Sequence, residues 1–141
     1  MYNAKNTLKM VILLGVSFYY LIVCCTGCVK EVSTEKKEEI DYTVVKEADI
    51  PDYLMENIES KKNDAFRLSY SDSENLYIAA GYGEQMSGGY SIVVDDLFLS
   101  DNAIIFATTL KGPESERKGD KPTYPYIVVK MENMDKEIIY K

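Results

Sequence analysis

From Phe66 onward the apolar residues recur at every second position, in runs closed by clusters of turn-forming residues, and that spacing commits most of the chain to β-sheet. Phe66-Arg-Leu-Ser-Tyr70 alternates, and the polar group at residues 71–75 reverses the chain. Leu76, Ile78, Ala80 and Tyr82 then share one face, with Tyr77 and Ala79 on the other, which reads as a hairpin. Residues 90–100 and 103–110 form a second hairpin across Asp101-Asn102, with Ile104, Phe106, Thr108 and Leu110 on one face. Residues 124–131 and 136–140 supply two further strands around a turn at residues 132–135. One stretch departs from this pattern. Residues 49–63 carry apolar Ile50, Leu54 and Ile58 at four-residue spacing, with Tyr53 beside them, and read as a helix lying on a sheet. Asp49 is placed to cap it, Pro51 is tolerated in its first turn, and Lys61 and Lys62 fall where the helix dipole favours cations. A short strand at residues 42–45 can precede it. The predicted fold class is α+β, mainly an antiparallel β sheet or small sandwich of about six strands with one N-terminal helix.

A chain of 141 residues has a ceiling of one such domain. Its amino-terminal part reads as an address. Lys5 and Lys9 precede a charge-free apolar run over residues 10–26, the pattern of a basic region followed by the hydrophobic core of a leader. Cys25-Thr26-Gly27-Cys28 resembles the bacterial lipoprotein box, in which small residues precede a cysteine that takes a lipid on its sulfur. The expected lipidation site is Cys28, with residues 1–27 as the signal peptide. An uncleaved anchor is the alternative, and both put the remainder on the extracytoplasmic face of the cell membrane. Residues 28–40, dominated by Lys and Glu, read as a charged, solvated tether of about 20 Å. The domain proper is expected over residues 41–141.

Composition removes several functions. With 16 basic against 23 acidic residues the chain repels phosphate backbones, so no nucleic-acid partner is expected. The chain contains no His and its three Cys fall together at residues 24–28, which excludes a disulfide framework, Ser-His or Cys-His catalysis and imidazole metal ligands. Ser33-Thr-Glu-Lys36 and Ser115-Glu-Arg-Lys118 have Ser-x-x-Lys spacing but lie in charged, solvated segments. Asp95, Asp96 and Asp101 offer carboxylates for a cation, although Asp95-Asp96 reads more simply as a bulge and Asp101-Asn102 as a turn. Gly81-Tyr-Gly83 lacks the third glycine and the helix of a nucleotide fingerprint. No cofactor and no enzymatic activity are expected.

The most informative stretch is Gly81-Tyr-Gly-Glu-Gln-Met-Ser-Gly-Gly-Tyr90. Glycine lowers strand propensity, so its density here points to backbone geometry: positive φ at Gly88-Gly89, and a bulge or close backbone approach at Gly81 and Gly83. Tyr82 and Tyr90 are left as rigid amphipathic rings. Tyr124-Pro125-Tyr126 adds a strand start with an aromatic–Pro bond open to either isomer and two more tyrosines suited to an interface. The expected partner-binding face comprises Tyr82, Gly83, Glu84, Ser87, Gly88, Gly89 and Tyr90 with Tyr124, Pro125 and Tyr126.

Tyr77-Ile-Ala-Ala-Gly-Tyr-Gly-Glu-Gln-Met-Ser-Gly-Gly-Tyr-Ser-Ile92, Leu110-Lys-Gly-Pro113 and Tyr124-Pro-Tyr-Ile-Val-Val-Lys130 together resemble the carboxy-terminal domain of PrcB-type subunits of bacterial surface protease complexes. The resemblance spans residues 76–140, with Met86 and Ser87 replacing the usual Pro-Thr of the loop. It implies a lipid-anchored, non-catalytic accessory subunit whose partner is an extracellular protease or another surface protein. The Gly-Gly-Tyr loop also resembles the binding loops of small β-sandwich inhibitors of cysteine proteases, so a protease inhibitor is the second reading. A cation- or ligand-binding lipoprotein is the third.

Overall fold

A computed structural model describes residues 32–114 and 120–141. The leader, Cys28 and the Ser115-to-Lys118 motif lie outside the described residues. Residues 32–141 form one compact unit. It is an α+β sandwich of two four-stranded sheets, and among the described residues no helix is long and apolar enough to cross a membrane.

The first sheet has the order β2-β7-β4-β3, where β2 is Thr43–Val44, β3 Ala65–Ser71, β4 Asn75–Tyr82 and β7 Tyr126–Glu132, all antiparallel. The β3–β4 hairpin closes on Asp72, whose carboxylate accepts the backbone N–H of Glu74 and Asn75 at 2.8 and 2.6 Å, a local turn that fixes register. Alternation sorts β4 as the sequence requires. Tyr77 and Ala79 face α1 (Asp52–Lys61), where they pack with Ile50, Leu54, Ile58 and Phe66. Leu76, Ile78 and Ala80 face the second sheet. Full burial of Leu54 and Ile58 stabilises the helix on the sheet by roughly 1.5–3 kcal/mol each.

The second sheet runs β1-β5-β6-β8, with β1 Glu38–Glu39, β5 Ser91–Leu99, β6 Ala103–Lys111 and β8 Glu137–Tyr140. Its inner residues Leu97, Ile104 and Phe106 meet Ile40, Ile78, Val129 and Met131 to form the main core. Phe98, Ala103 and Ile105, with Ile139, cluster on the opposite side of the same sheet. The β5–β6 register slips between Val94 and Asp96, the bulge that Asp95-Asp96 implied.

Three expectations are corrected. The described residues contain eight strands, the two short edges being Glu38–Glu39 and Thr43–Val44, the second of them expected at residues 42–45. The first of these lies in the stretch read as tether: Glu39 pairs with Phe98, Glu38 with Leu99, and the chain then inserts Ile40 into the core. Asp49 does not cap the helix. It belongs to a separate 3-10 turn over Glu47–Asp49, and the carbonyl of Pro51 opens the α-helical ladder by accepting the N–H of Met55 at 2.9 Å. Finally, β8 does not fold back on β7. It crosses to the other sheet and pairs with β6 in parallel, Ile104 against Ile138 and Phe106 against Tyr140.

Candidate partner-binding surface

The glycine-rich loop leaves β4 at Tyr82 and is fixed by backbone contacts on two sides. Gly83 takes φ 72° and lies against the backbone of residues 63–65; a Cβ there would sit 3.1 Å from the Asn63 carbonyl oxygen and the Ala65 nitrogen. The next residue, Glu84, donates its N–H to that Asn63 carbonyl at 3.1 Å, tying the loop to the end of α1. On the other side Gln85 and Thr123 exchange two backbone hydrogen bonds of 2.8 and 2.9 Å. The Thr123 hydroxyl donates to the Ser87 carbonyl at 2.8 Å, and Gln85 Nε2 donates to the Tyr82 carbonyl at 2.9 Å. Ser87 is therefore buried, while Met86 beside it is 81% exposed.

The same contacts carry the second segment into place. The Tyr124 hydroxyl donates to Glu84 Oε2 at 3.2 Å, and Lys62 Nζ sits 5.5 Å from the centre of the Tyr124 ring. Lys62 is also paired with Glu59 at 2.6 Å, and the hydrogen bond to that carboxylate holds the ammonium above its usual pKa. Pro125 is trans, so no cis bond shapes this start. It lies just before β7 and, having no N–H to give, contributes its carbonyl, which accepts the Tyr82 N–H at 3.1 Å. Burial, followed by the nearby Glu47 and Glu59 carboxylates, raises the Tyr126 phenol above the ordinary tyrosine value.

Beside these tyrosines runs a groove of about 330 Å³, lined by Val44, Val45, Ile50, Tyr124, Pro125, Tyr126 and Ile127 among others. It opens because β2 ends at Val44, with one further bond from the Val45 N–H to the Val128 carbonyl at 2.8 Å. By alternation the backbone of Tyr126 points to the side of β7 that β2 covers, past the point where β2 has left. Backbone pairing groups and apolar side chains thus share one shelf.

The structure brings Gly83, Glu84 and Ser87 together with Tyr124, Pro125 and Tyr126, and it separates the roles of the expected residues. Gly83 and Gly89 have positive φ, 72° and 87°, whereas Gly88 does not. Gly81 accommodates a side chain, since its hypothetical Cβ would fall 2.1 Å from the Phe66 ring. Tyr82, expected on the contact face, instead turns inward. Its hydroxyl donates to the Thr108 carbonyl at 2.6 Å, bridging the two sheets, and its ring stacks 5.1 Å under the Arg67 guanidinium. Tyr90 is half-buried, with its ring facing Gly112. Sequence reasoning passed over Met86, Val44, Val45, Ile50 and Thr123; only Met86 gave a signal, as a large apolar residue within a glycine loop.

The carboxylates behave as structural groups. Asp95, in the bulge, accepts the Thr109 hydroxyl at 2.6 Å, and Asp101 pairs with Lys37 at 3.5 Å. No group of three or more Asp, Glu, His or Cys positioned for a metal ion occurs among the described residues. Lys36, of the first Ser-x-x-Lys, is paired with Glu39 in solvent at 2.6 Å.

Residues 76–132 match the family described as PrcB C-terminal, which bears out the resemblance carried by the motifs. The matched span runs from β4 to the end of β7 and includes both segments of the candidate surface. No curated protein and no solved structure matches the chain.

Proposed function

With a PrcB C-terminal segment at residues 76–132 as the premise, we propose that this chain is a non-catalytic accessory subunit of a cell-surface protease complex, held at the extracytoplasmic face of the membrane by lipid on Cys28. The observation that carries the reading is the double anchoring of the Gly83–Tyr90 loop, to Asn63 on one side and Thr123 on the other. A loop held in this way loses little conformational entropy on binding, so its exposed Met86 and the neighbouring apolar groove form a preorganised contact surface. The groove suits an extended partner segment that pairs with the Tyr126 backbone and places an apolar side chain between Val45 and Tyr124. The absence of histidine from the whole sequence supports a role in gripping and not in bond cleavage.

The test is co-purification from intact cells. Met86→Asp combined with Tyr124→Ala removes an exposed apolar anchor and one wall of the groove, while the Gln85–Thr123 backbone pair stays in place. We expect loss of a surface protease from the purified complex while the domain stays folded by circular dichroism. Equal recovery with the folded double variant would refute the assignment. For the anchor, incorporation of a labelled fatty acid should vanish in Cys28→Ala; labelling that persists would move the site.

The protrusion of Met86 favours one other reading, insertion of the loop into a peptidase cleft as an inhibitor. Turnover of the co-purified protease separates the two: an accessory subunit maintains or raises it, and an inhibitor abolishes it.

A further inference from the structure

Strand β3 is the longest outer strand of either sheet, seven residues against two for β1, two for β2 and four for β8. It carries no proline and no bulge, two devices by which sheet edges avoid pairing. Which backbone groups it leaves open follows from the ladder. The Val45-to-Val128 bond shows that Val128 points at β2, so Val129 points at β4. Stepping across the register, Ile78 and Ala80 point at β7, Ala79 and Gly81 at β3, and Phe66, Leu68 and Tyr70 back at β4. Ala65, Arg67, Ser69 and Ser71 therefore direct their N–H and C=O groups off the edge. Arg67 does not block this edge, because its guanidinium is folded back onto the carbonyls of Phe66 and Gly81 and the ring of Tyr82.

We propose that β3 pairs antiparallel with β3 of a second copy of this chain, about a two-fold axis at Leu68, joining the two β2-β7-β4-β3 sheets into one. This register gives every outward-facing residue of the strand a partner: Arg67 exchanges backbone bonds with Ser69 of the second copy and Ala65 with Ser71, while Leu68, the centre of the strand, meets Leu68 across the axis. Arg67 then faces serine and not a like charge.

Two features of α1 fit the same axis. Tyr53 is 65% exposed and stacks its ring 5.9 Å from Tyr70, while Ser60 and Lys61, further along the helix, border a cavity of about 470 Å³ that opens at Phe66 and Leu68. The dyad puts Tyr70 of one copy opposite Phe66 of the other, so the exposed Tyr53 of each is carried to the cavity of its mate, knob to hole on both sides. The helices run antiparallel across the axis. Each has Asp52 in its first turn and Lys61 in its last, so its acidic end lies along the basic end of the other. A self-complementary patch of this kind is what a closed two-fold dimer requires.

The test uses the full chain in detergent. Leu68 and its mate form a non-hydrogen-bonded pair with Cα atoms about 4.5 Å apart, within disulfide range. We expect Leu68→Cys to give a covalent dimer on mild oxidation, beyond any formed by the parent chain. Adding Ser69→Pro should abolish it, because that N–H serves only the second copy, and adding Tyr53→Ala should reduce it several-fold. Absence of the crosslink in folded Leu68→Cys, or a crosslink indifferent to Ser69→Pro, overturns the proposal. Should Leu68→Cys fail to fold, sedimentation equilibrium of the parent chain decides: a mass rising to twice the monomer supports the pairing, and a monomer at every concentration ends it.

Discussion

Replacing Gly81 with alanine tests whether this glycine exists to make room for an aromatic ring. A Cβ at Gly81 falls 2.1, 2.5 and 2.6 Å from three ring carbons of Phe66, the residue opposite it in the β3–β4 ladder. Carbon atoms rest at about 3.5–4.0 Å, so the ring must retreat by roughly 1.5 Å. Its inner side is closed: Phe66 is 7% exposed and packed with Ile50, Leu54, Ile58 and Val128, so the ring can yield only toward the cavity at the strand edge and gives up those contacts as it does. Overpacking of this kind costs about 1–3 kcal/mol, and complete ejection of the ring approaches the roughly 3–5 kcal/mol of a Phe→Ala truncation. We expect Gly81→Ala to lose about 2–3 kcal/mol, or roughly 10 °C in Tm for a domain of this size. Because φ at Gly81 is not positive, that penalty is all contact and no backbone strain. It should vanish in a Phe66→Ala background, where the new methyl enters vacated space and replacing a strand glycine stabilises by about 0.5–1 kcal/mol. Urea unfolding of the four proteins of this cycle yields a coupling of about 3 kcal/mol if the reasoning is right. A Gly81→Ala cost that is the same in both backgrounds would refute it.

Gly83→Ala should cost about 1–2 kcal/mol through its left-handed φ and the close backbone of residues 63–65, and faster hydrogen exchange at the Glu84 amide would report the freed loop. Tyr82→Phe removes the hydroxyl that reaches Thr108 across the sandwich and should lower stability by about 1 kcal/mol, with an unchanged near-ultraviolet circular dichroism contribution from the other tyrosines. The amides of Asn75 and Glu74 hold the Asp72 carboxyl below its usual pKa, so its stabilisation is present above the ordinary carboxylate value and is lost as pH falls through the folded one; acid titration of Asp72→Asn should lack that component. Tyr140 is shifted the opposite way, upward and chiefly by burial, so its contribution is intact below the ordinary tyrosine value and disappears as pH rises through the folded one. Tyr140→Phe should accordingly keep more of its neutral-pH stability in alkali than the parent does, as read by thermal melts across the alkaline range.

The parts of the fold legible in the sequence are those fixed between near neighbours. The β3–β4 hairpin follows from alternation and one aspartate turn, and the bulge at Asp95-Asp96 follows from a break in parity between Val94 and Leu97. The fate of β8 was illegible for a physical reason. Alternation in Ile138 and Tyr140 states that one face is buried, but a sandwich offers the same apolar surface from either sheet. The choice is made by long-range contacts: the Tyr140 ring meets Phe106 edge-on at 6.2 Å, its hydroxyl reaches the Leu68 carbonyl, and the Lys141 N–H bonds the Phe106 carbonyl. Strand β1 escaped notice for the converse reason. Glu38 and Glu39 have no apolar period, and they are extended only because backbone pairing beside Phe98 and Leu99 delivers Ile40 to the core.

For the candidate surface, the sequence marks the stretch whose backbone is unusual but not the part each residue plays in it. Glycine density marks where the backbone must do something unusual, yet it does not say which glycine takes positive φ and which makes space for a ring; Gly83 and Gly89 do the first, Gly81 the second. Tyr82 is the instructive case, because two properties of the sequence point in opposite directions. Its position in a glycine-rich stretch suggests an exposed aromatic, while its parity with Leu76, Ile78 and Ala80 puts it on the face that the other sheet covers. Parity prevails, since turning one strand residue outward would break the ladder that holds β4 between β3 and β7. Only after Gly83 reverses the backbone does alternation lose its hold, and Met86 is then released to solvent while Ser87 is drawn in by Thr123. Which side chain the loop exposes is thus decided by the last ladder bond before the turn, the Tyr82 N–H to the Pro125 carbonyl, and by the Gln85–Thr123 pair after it. A substitution that moved either bond by one residue would exchange the buried and exposed members of the loop without altering its composition.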